Sequence, residues 1–524
     1  MAYSTLTIAF TSAIIYIITR AIYDIFFHPL AKVPGPLLAK VGCLWKFNAA
    51  TSLKFADRLR AAHAKYGNVV RIASNEVSVI SPEDVKTIYG HKSEYVKGPW
   101  YDAWKVGPLN SHFNERSASA HSERRRLAAG AYSLNHLRTL EHSVDESVEL
   151  LCKKHLDAAA DISQEGEAKE KKIVDMAKFT EWFCYDSVAK IAWGKSYGLL
   201  DNAGGESATL INDLGEGTIL VSSLACTPIG WLMATDFAQK LLNFLQPEKG
   251  ICLFMKQANK IVADRLELKQ KDPTEYELNK DMLYRFIQCF DSFVGRQEAF
   301  DLIANETVVV VVAGADTTLV STNAAIRYIY SNPRVLAALR AEITEALELG
   351  KLSLPAPSYN QVANLPYLNA CLKEAMRMHP AVCMPLQRVV PQSTSEDGRV
   401  GKVIAGKFYL PPGTKVGMSA WTLHMSKEAF GSDAEVYRPE RWLDEDNRRE
   451  LEKYNLTFGM GRRVCIGKNI SMMEMNKLIP VLVHNYDLEM VNPAEPYRTT
   501  QCWFTVQKDF LVKVSKREDA EHYI

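Results

Sequence analysis

The residues best suited to do chemistry lie in Phe458-Gly459-Met460-Gly461-Arg462-Arg463-Val464-Cys465-Ile466-Gly467. This places one cysteine in a glycine-rich, arginine-bearing loop just ahead of an amphipathic helix, whose Met475, Leu478, Ile479 and Leu482 recur on one face. A thiolate there lies near orphan amide donors and the positive end of the helix dipole. Both are expected to lower its pKa and favour the anion that ligates metal. Gly459, Gly461 and Gly467 let the backbone turn sharply and approach a flat ligand. Arg463 offers a forked donor to a carboxylate. A planar, carboxylate-bearing ligand whose metal takes one thiolate is a haem, with Cys465 as its axial ligand.

The loop matches F-x-x-G-x-R-x-C-x-G residue by residue, and through it the chain resembles the cytochrome P-450 superfamily. Other motifs extend the resemblance. Val308 to Val312 is a β-branched run that alone reads as a buried strand, and Ala313-Gly314-Ala315-Asp316-Thr317-Thr318 alone reads as a turn. The resemblance instead implies one helix over 301–330 crossing above the haem. It gives Ala313 and Gly314 the role of leaving room for dioxygen, Thr317 that of a hydrogen-bond donor to it, and Asp316 that of a proton relay. Glu374 and Arg377 share a helix face and match E-x-x-R. Arg441, in Pro439-Glu440-Arg441-Trp442, stands as the third member of that triad, with Trp442 where the family prefers Phe. The resemblance makes the triad structural, a lock on the haem loop. It also makes Arg388, and His121 with Arg125, contacts of the haem propionates, joining Arg463, Phe458 and Gly467 in the cofactor site.

Length alone suggests about three domains, but no Pro- or Gly/Ser-rich linker and no repeat divides the 524 residues. We read residues 1–28 as an N-terminal transmembrane signal anchor, 29–36 as a proline-rich hinge, and 37–524 as one haem domain of mainly α structure with a small β region. Residues 2–19 carry no charge, and Arg20, Lys32 and Lys40 all follow the apolar run. That order argues against a cleaved signal peptide and leaves the bulk cytosolic. Ten scattered cysteines without C-x-x-C spacing point to reduced thiols. A net charge of +1 speaks against a nucleic-acid partner. Residues 153–172 and 266–281 are rich in charge and read as solvated, whereas 396–412 has the turns of short hairpins.

The implied activity is that of a haem-thiolate monooxygenase of the endoplasmic reticulum membrane, single-pass, with its catalytic domain in the cytosol. It would insert one oxygen atom from O2 into a hydrophobic small molecule by hydroxylation, epoxidation or oxidative demethylation. No flavin or nucleotide motif appears, so electrons are expected from NADPH through a separate NADPH-cytochrome P-450 reductase, with cytochrome b5 a further candidate donor. Arg124, Arg126, Arg462 and Lys468 would form a basic ring for that partner. By family position the pocket comprises Trp104, Val309, Val312, Ala313, Val382, Met384, Trp503 and Phe504, with Trp100, Tyr101 and Leu386 beside it. These are apolar or aromatic, and none offers a cation to a fatty-acid carboxylate. The hinge and the Cys465-to-Met475 run most resemble filamentous-fungal members of the pisatin-demethylase and benzoate-hydroxylase kind, active in secondary metabolism. The competing readings are a haem-dependent isomerase, dehydratase or oxidative-coupling enzyme on the same fold, and a non-catalytic membrane haem protein that binds ligands.

Overall fold

Apolar helix faces determine the packing, and the longest helix is buried along most of its length. The computed structural model describes residues 2–160, 172–245, 249–290, 295–394, 398, 400–495 and 498–517. Part of the charged stretch 153–172 and of the segment 396–412 therefore lies outside the described residues. The helices that matter for the site are α1 (Ala2–Ile22), α2 (Ala118–Ala129), α3 (Met176–Trp193), α4 (Ser207–Leu224), α5 (Gly250–Lys271), α6 (Arg296–Tyr330), α7 (Pro366–Met378) and α8 (Lys468–Asn485). Pro366 occupies the first turn of α7, where its missing N–H costs nothing.

The helix α6 runs 35 residues, roughly 50 Å at 1.5 Å per residue. Its β-branched run is helical because burial against neighbours on several sides overrides local preference: Val308, Val310 and Val311 are all in the core. Gly314 lines the cavity beside Ala313 and has a packing role as well. A Cβ on it would lie 2.9 Å from Val188 Cγ2 of α3, so the glycine lets α3 and α6 approach closely. The other long apolar helix is thus core, whereas the apolar window Phe10–Phe27 is almost wholly exposed and long enough to cross a membrane.

The main sheet has the order β1-β2-β5-β4-β3, from β1 (Val69–Ala73), β2 (Glu76–Val79), β3 (Val96–Lys97), β4 (Arg388–Val389) and β5 (Lys415–Gly417). Lys97 stands directly opposite Arg388 across β3 and β4. A hairpin of β6 (Arg498–Gln501) and β7 (Thr505–Lys508) carries Trp503 and Phe504 at its turn. The strands Ile173–Asp175, Leu511–Lys516 and Tyr486–Met490 form a three-stranded sheet.

The proline-rich segment is docked on the body. Leu30 and Val33 are buried, and Arg71 N donates to Pro34 O at 2.7 Å. A Cβ on Gly35 would sit 2.3 Å from Arg71 O, so only glycine permits this contact. Just before it, Arg71 Nη1 donates to the Asp24 carbonyl at 2.8 Å.

Candidate active site

The cysteine loop keeps its shape through two conformational requirements and one hydrogen bond. Gly459 and Gly461 have φ of +68° and +65°, a region open mainly to glycine. At Gly461 a Cβ would fall 2.1 Å from Tyr89 O. Cys465 N donates to Phe458 O at 2.7 Å, closing the loop on itself just before α8. The sulfur faces a cavity, accessible to a small molecule within it yet shielded from bulk water. Burial raises the thiol pKa above its ordinary value, against smaller opposing effects of the Gly467 and Lys468 amides and Arg125. The expected lowering is therefore overturned, because loss of hydration outweighs the amides. A bound cation reverses that balance.

The loop is clamped from behind by a buried charge network. Arg377 Nε and Nη2 donate to the two Glu374 carboxylate oxygens, each at 2.8 Å, and Arg441 Nε donates to Glu374 Oε1 at 2.9 Å. Trp442 Nε1 adds a bond to Glu374 Oε2 at 2.8 Å, which a phenylalanine could not make. Arg377 Nη1 also donates to His424 O at 2.7 Å, and His424 Nε2 accepts from Leu456 N at 2.9 Å, two residues before Phe458. Burial, with the Arg377 charge, pushes the His424 pKa down to about 3. The neutral ring donates from Nδ1 to Arg377 O and accepts at Nε2, a tautomer assigned from these partners. His424 thus joins the triad to the cysteine loop, and no sequence spacing marked it.

The cavity is about 1070 Å³, at the upper end of ordinary ligand sites. Phe458, Arg463, Cys465 and Gly467 line it beside His121, Arg125, Arg388 and Lys97. Thr317, Ala313, Val309 and Val312 come from α6, and Trp104, Val382, Leu386, Trp503 and Phe504 complete the apolar part. Two expected residues lie elsewhere. Met384 is buried with Trp100, Tyr101 and Trp503 rather than on the wall. The chain changes partner there, with Cys383 N bonded to Trp503 O and Leu386 N to Met418 O, so strand alternation from Val382 does not carry through Pro385. Trp100 stacks behind the wall, 4.3 Å from the Trp503 ring. His112, missed from sequence, ties the loop over the cavity to α6: its N donates to Glu306 Oε1 at 3.0 Å and its ring pairs with Oε2.

Thr317 and Asp316 do not meet. Thr317 Oγ1 donates to Ala313 O at 2.7 Å on the cavity side. Asp316 is buried between α6 and α3, where the Tyr185 hydroxyl donates to its Oδ1 at 2.8 Å. Burial pushes its pKa up to about 6, against the Tyr185 bond and the charge of Lys508. Glu181, one turn before Tyr185, rises to about 7 through burial and the Asp316 charge.

The "Cytochrome P-450" family model matches residues 33–514. The chain belongs to the cytochrome P-450 family. This P-450 is similar to the cytochrome P-450 monooxygenase gsfF of Penicillium aethiopicum, at 31% identity over 96% of each chain. Pisatin demethylase of Fusarium vanettenii is 28% identical over 95% of this chain and 90% of its own. The monooxygenase mpaDE of Penicillium brevicompactum is 31% identical over 94% of this chain, which spans 56% of that relative. The protein is therefore a monooxygenase of the haem-thiolate kind. Its residues suit that cofactor. The Cys465 sulfur faces the cavity, and Arg125, Arg388, Arg463 and Lys97 line it. Among the described residues these cations meet carbonyl oxygens, aromatic rings and the Tyr101 hydroxyl, with no carboxylate in a salt bridge to any of them. A ligand bearing two carboxylates fits such a lining. His121 is neutral there, its pKa pushed down to about 3 by burial and by Arg463, Lys97, His112 and Arg125.

Proposed function

We propose that this P-450 inserts one oxygen atom from O2 into a hydrophobic small molecule in a fungal secondary-metabolite pathway, at the endoplasmic reticulum membrane, with electrons from NADPH through a separate reductase. The observation that carries the reading is that one cavity joins Cys465 to an apolar wall of valine, alanine and aromatic side chains. The names of the relatives support the setting in secondary metabolism.

Cys465 would ligate the haem iron, with Arg125, Arg388, Arg463 and His121 holding its carboxylates. The bound haem supplies dioxygen activation, and the thiolate favours O–O cleavage. Val309, Val312, Trp104, Val382, Trp503 and Phe504 orient an apolar substrate and exclude water. Thr317 Oγ1 presents its hydroxyl at the cavity face, and Asp316, bonded to Tyr185 on the side facing α3, would relay protons towards it only by turning its side chain or through intervening water. Arg126, Arg462 and Lys468 are exposed and present positive charge to a reductase, whereas Arg124 is paired with Glu115. Reversing the charge of Lys468 should slow reductase-driven turnover.

The test is a microsomal preparation containing this chain and a reductase, fed terpenoid, polyketide, indole and aromatic-acid scaffolds, with Cys465→Ala as control. A cysteine-dependent gain of one oxygen in the product mass supports the reading. Intact haem-loaded protein that lacks a thiolate-type Soret shift with carbon monoxide contradicts it.

A further inference from the structure

His112 and Glu306 form a buried pair to which the haem site and the apolar wall give no task. Glu306 of α6 is fully buried, and His112 is 7% exposed. His112 N donates to Glu306 Oε1 at 3.0 Å, and Nδ1 lies 2.5 Å from Oε2. Among the described residues no other cation pairs with this carboxyl group. A lone charge at that depth is strongly unfavourable, which holds the pair at net neutrality. Neutrality is met in two ways, imidazolium with carboxylate or imidazole with carboxylic acid. In the first, both ring nitrogens carry hydrogen. In the second, the acid donates to Nδ1 and the ring hydrogen sits on Nε2. Either way Nε2 is a donor. It bonds to none of the described residues, yet it is not sealed in the core, and His112 lines the cavity. The α6 residues that follow Glu306 on that side, Val308, Val309 and Val312, are aliphatic. Tying the loop to α6 requires only N and Nδ1, so the outward nitrogen is surplus to that role. The three arginines of the cavity already exceed the charge of two haem carboxylates, which leaves this donor for the substrate.

We propose that His112 is a specificity-determining residue whose Nε2–H donates to a carbonyl oxygen of the substrate, with Glu306 as the positioning residue that fixes its ring and proton. A net-neutral pair suits a neutral acceptor, so the substrate class narrows from apolar molecules to apolar ketones, quinones or lactones. The inference rests on the substrate reading of the cavity given above.

The test compares wild-type holoenzyme with H112N and H112Q, using the carbon monoxide spectrum to confirm the fold and thiolate ligation. An asparagine amide stands where Nδ1 does, so H112N keeps the tie to Glu306 and loses the cavity donor. A glutamine amide reaches where Nε2 does, so H112Q loses the side-chain tie and keeps the donor. Dissociation constants are read from the Soret shift for two pairs of rigid probes that differ by one carbonyl, fluorenone with fluorene and xanthone with xanthene. The quantity compared is the hydrocarbon-to-ketone ratio of those constants, which cancels the apolar contribution. The expected result is a ratio about three- to tenfold lower in H112N, the worth of one hydrogen bond. H112Q should stay close to the wild-type ratio. An unchanged ratio in H112N, with both members of each pair bound equally more weakly by H112Q, would overturn the proposal and leave His112 a loop tie. A wild type that binds none of the probes overturns it too. Should H112N not accumulate as folded holoenzyme, the infrared carbonyl stretch of fluorenone bound to the wild type decides. It must lie below its position in hydrocarbon solvent, and an unmoved band overturns the proposal. A wild-type protein without a thiolate-type spectrum would overturn the haem reading itself, a distinct outcome.

Discussion

Consecutive residues on a helix point about 100° apart, and that geometry divides the labour at Asp316 and Thr317. Thr317 meets the cavity, while Asp316 is held by Tyr185 on the side facing α3. Thr317→Ala should leave NADPH oxidation largely intact, lower product per NADPH roughly tenfold or more, and raise hydrogen peroxide, since a positioned proton donor contributes about 10²–10⁴. Peroxide and product assays check this. Asp316 can donate only when protonated. With its pKa raised from 3.8 to about 6, coupling in the wild type should fall as pH rises through about 6, and Asp316→Asn should flatten that profile. At this scale the cysteine loop and its arginines were legible because thiolate ligation and carboxylate binding require those residue types. Lys97, Tyr185 and His424 were not, since nothing local says which face of an element turns inward.

The helices α3, α6 and α8 meet at a polar spot inside the core. Thr318 Oγ1 and Ser471 Oγ lie 2.6 Å apart, and beside them Glu474 of α8 is fully buried. Burial pushes its pKa from 4.5 up to about 8, against a smaller pull from the Ser187 and Thr318 hydroxyls. The folded chain thus keeps a proton that the unfolded chain releases above 4.5. The associated stability is fully present below 4.5 and is lost as pH rises through about 8, on the order of 4–5 kcal/mol in all. Glu474→Gln should therefore flatten the decline in Tm between pH 5 and 9, values that bracket most of the window, and stand above wild type at the alkaline end. A wild-type Tm that does not fall there would contradict it. The same helices show why local rules failed for Val308 to Val312: β-branched residues prefer strands when half-buried on a pleated surface, but here they fill a helix packed on several sides.

Across the whole molecule, the anchor and the body meet near Asp24. A chain beginning at Tyr23 keeps the Arg71-to-Asp24 contact and the buried Leu30 and Val33, so its Tm should match that of the full chain. It should still bind vesicles, because Phe26, Phe27, Leu37, Leu38 and Leu44 remain exposed, as do Ile229, Trp231 and Phe237. A chain beginning at Leu37 loses two core side chains and the Pro34 acceptor, and should be less stable by about 3 kcal/mol or more, read as a lower Tm and faster haem loss. The exposed apolar N-terminal helix was legible as an uncharged run, whereas docking of the proline-rich segment was not, since prolines alone do not reveal a partner strand. The central claim is tested most directly by turnover in isotopically labelled dioxygen, with the scaffold the substrate panel identifies. One labelled oxygen in the product, lost with Cys465→Ala, is the predicted result; a product whose new oxygen comes from water, or that gains none, would contradict it.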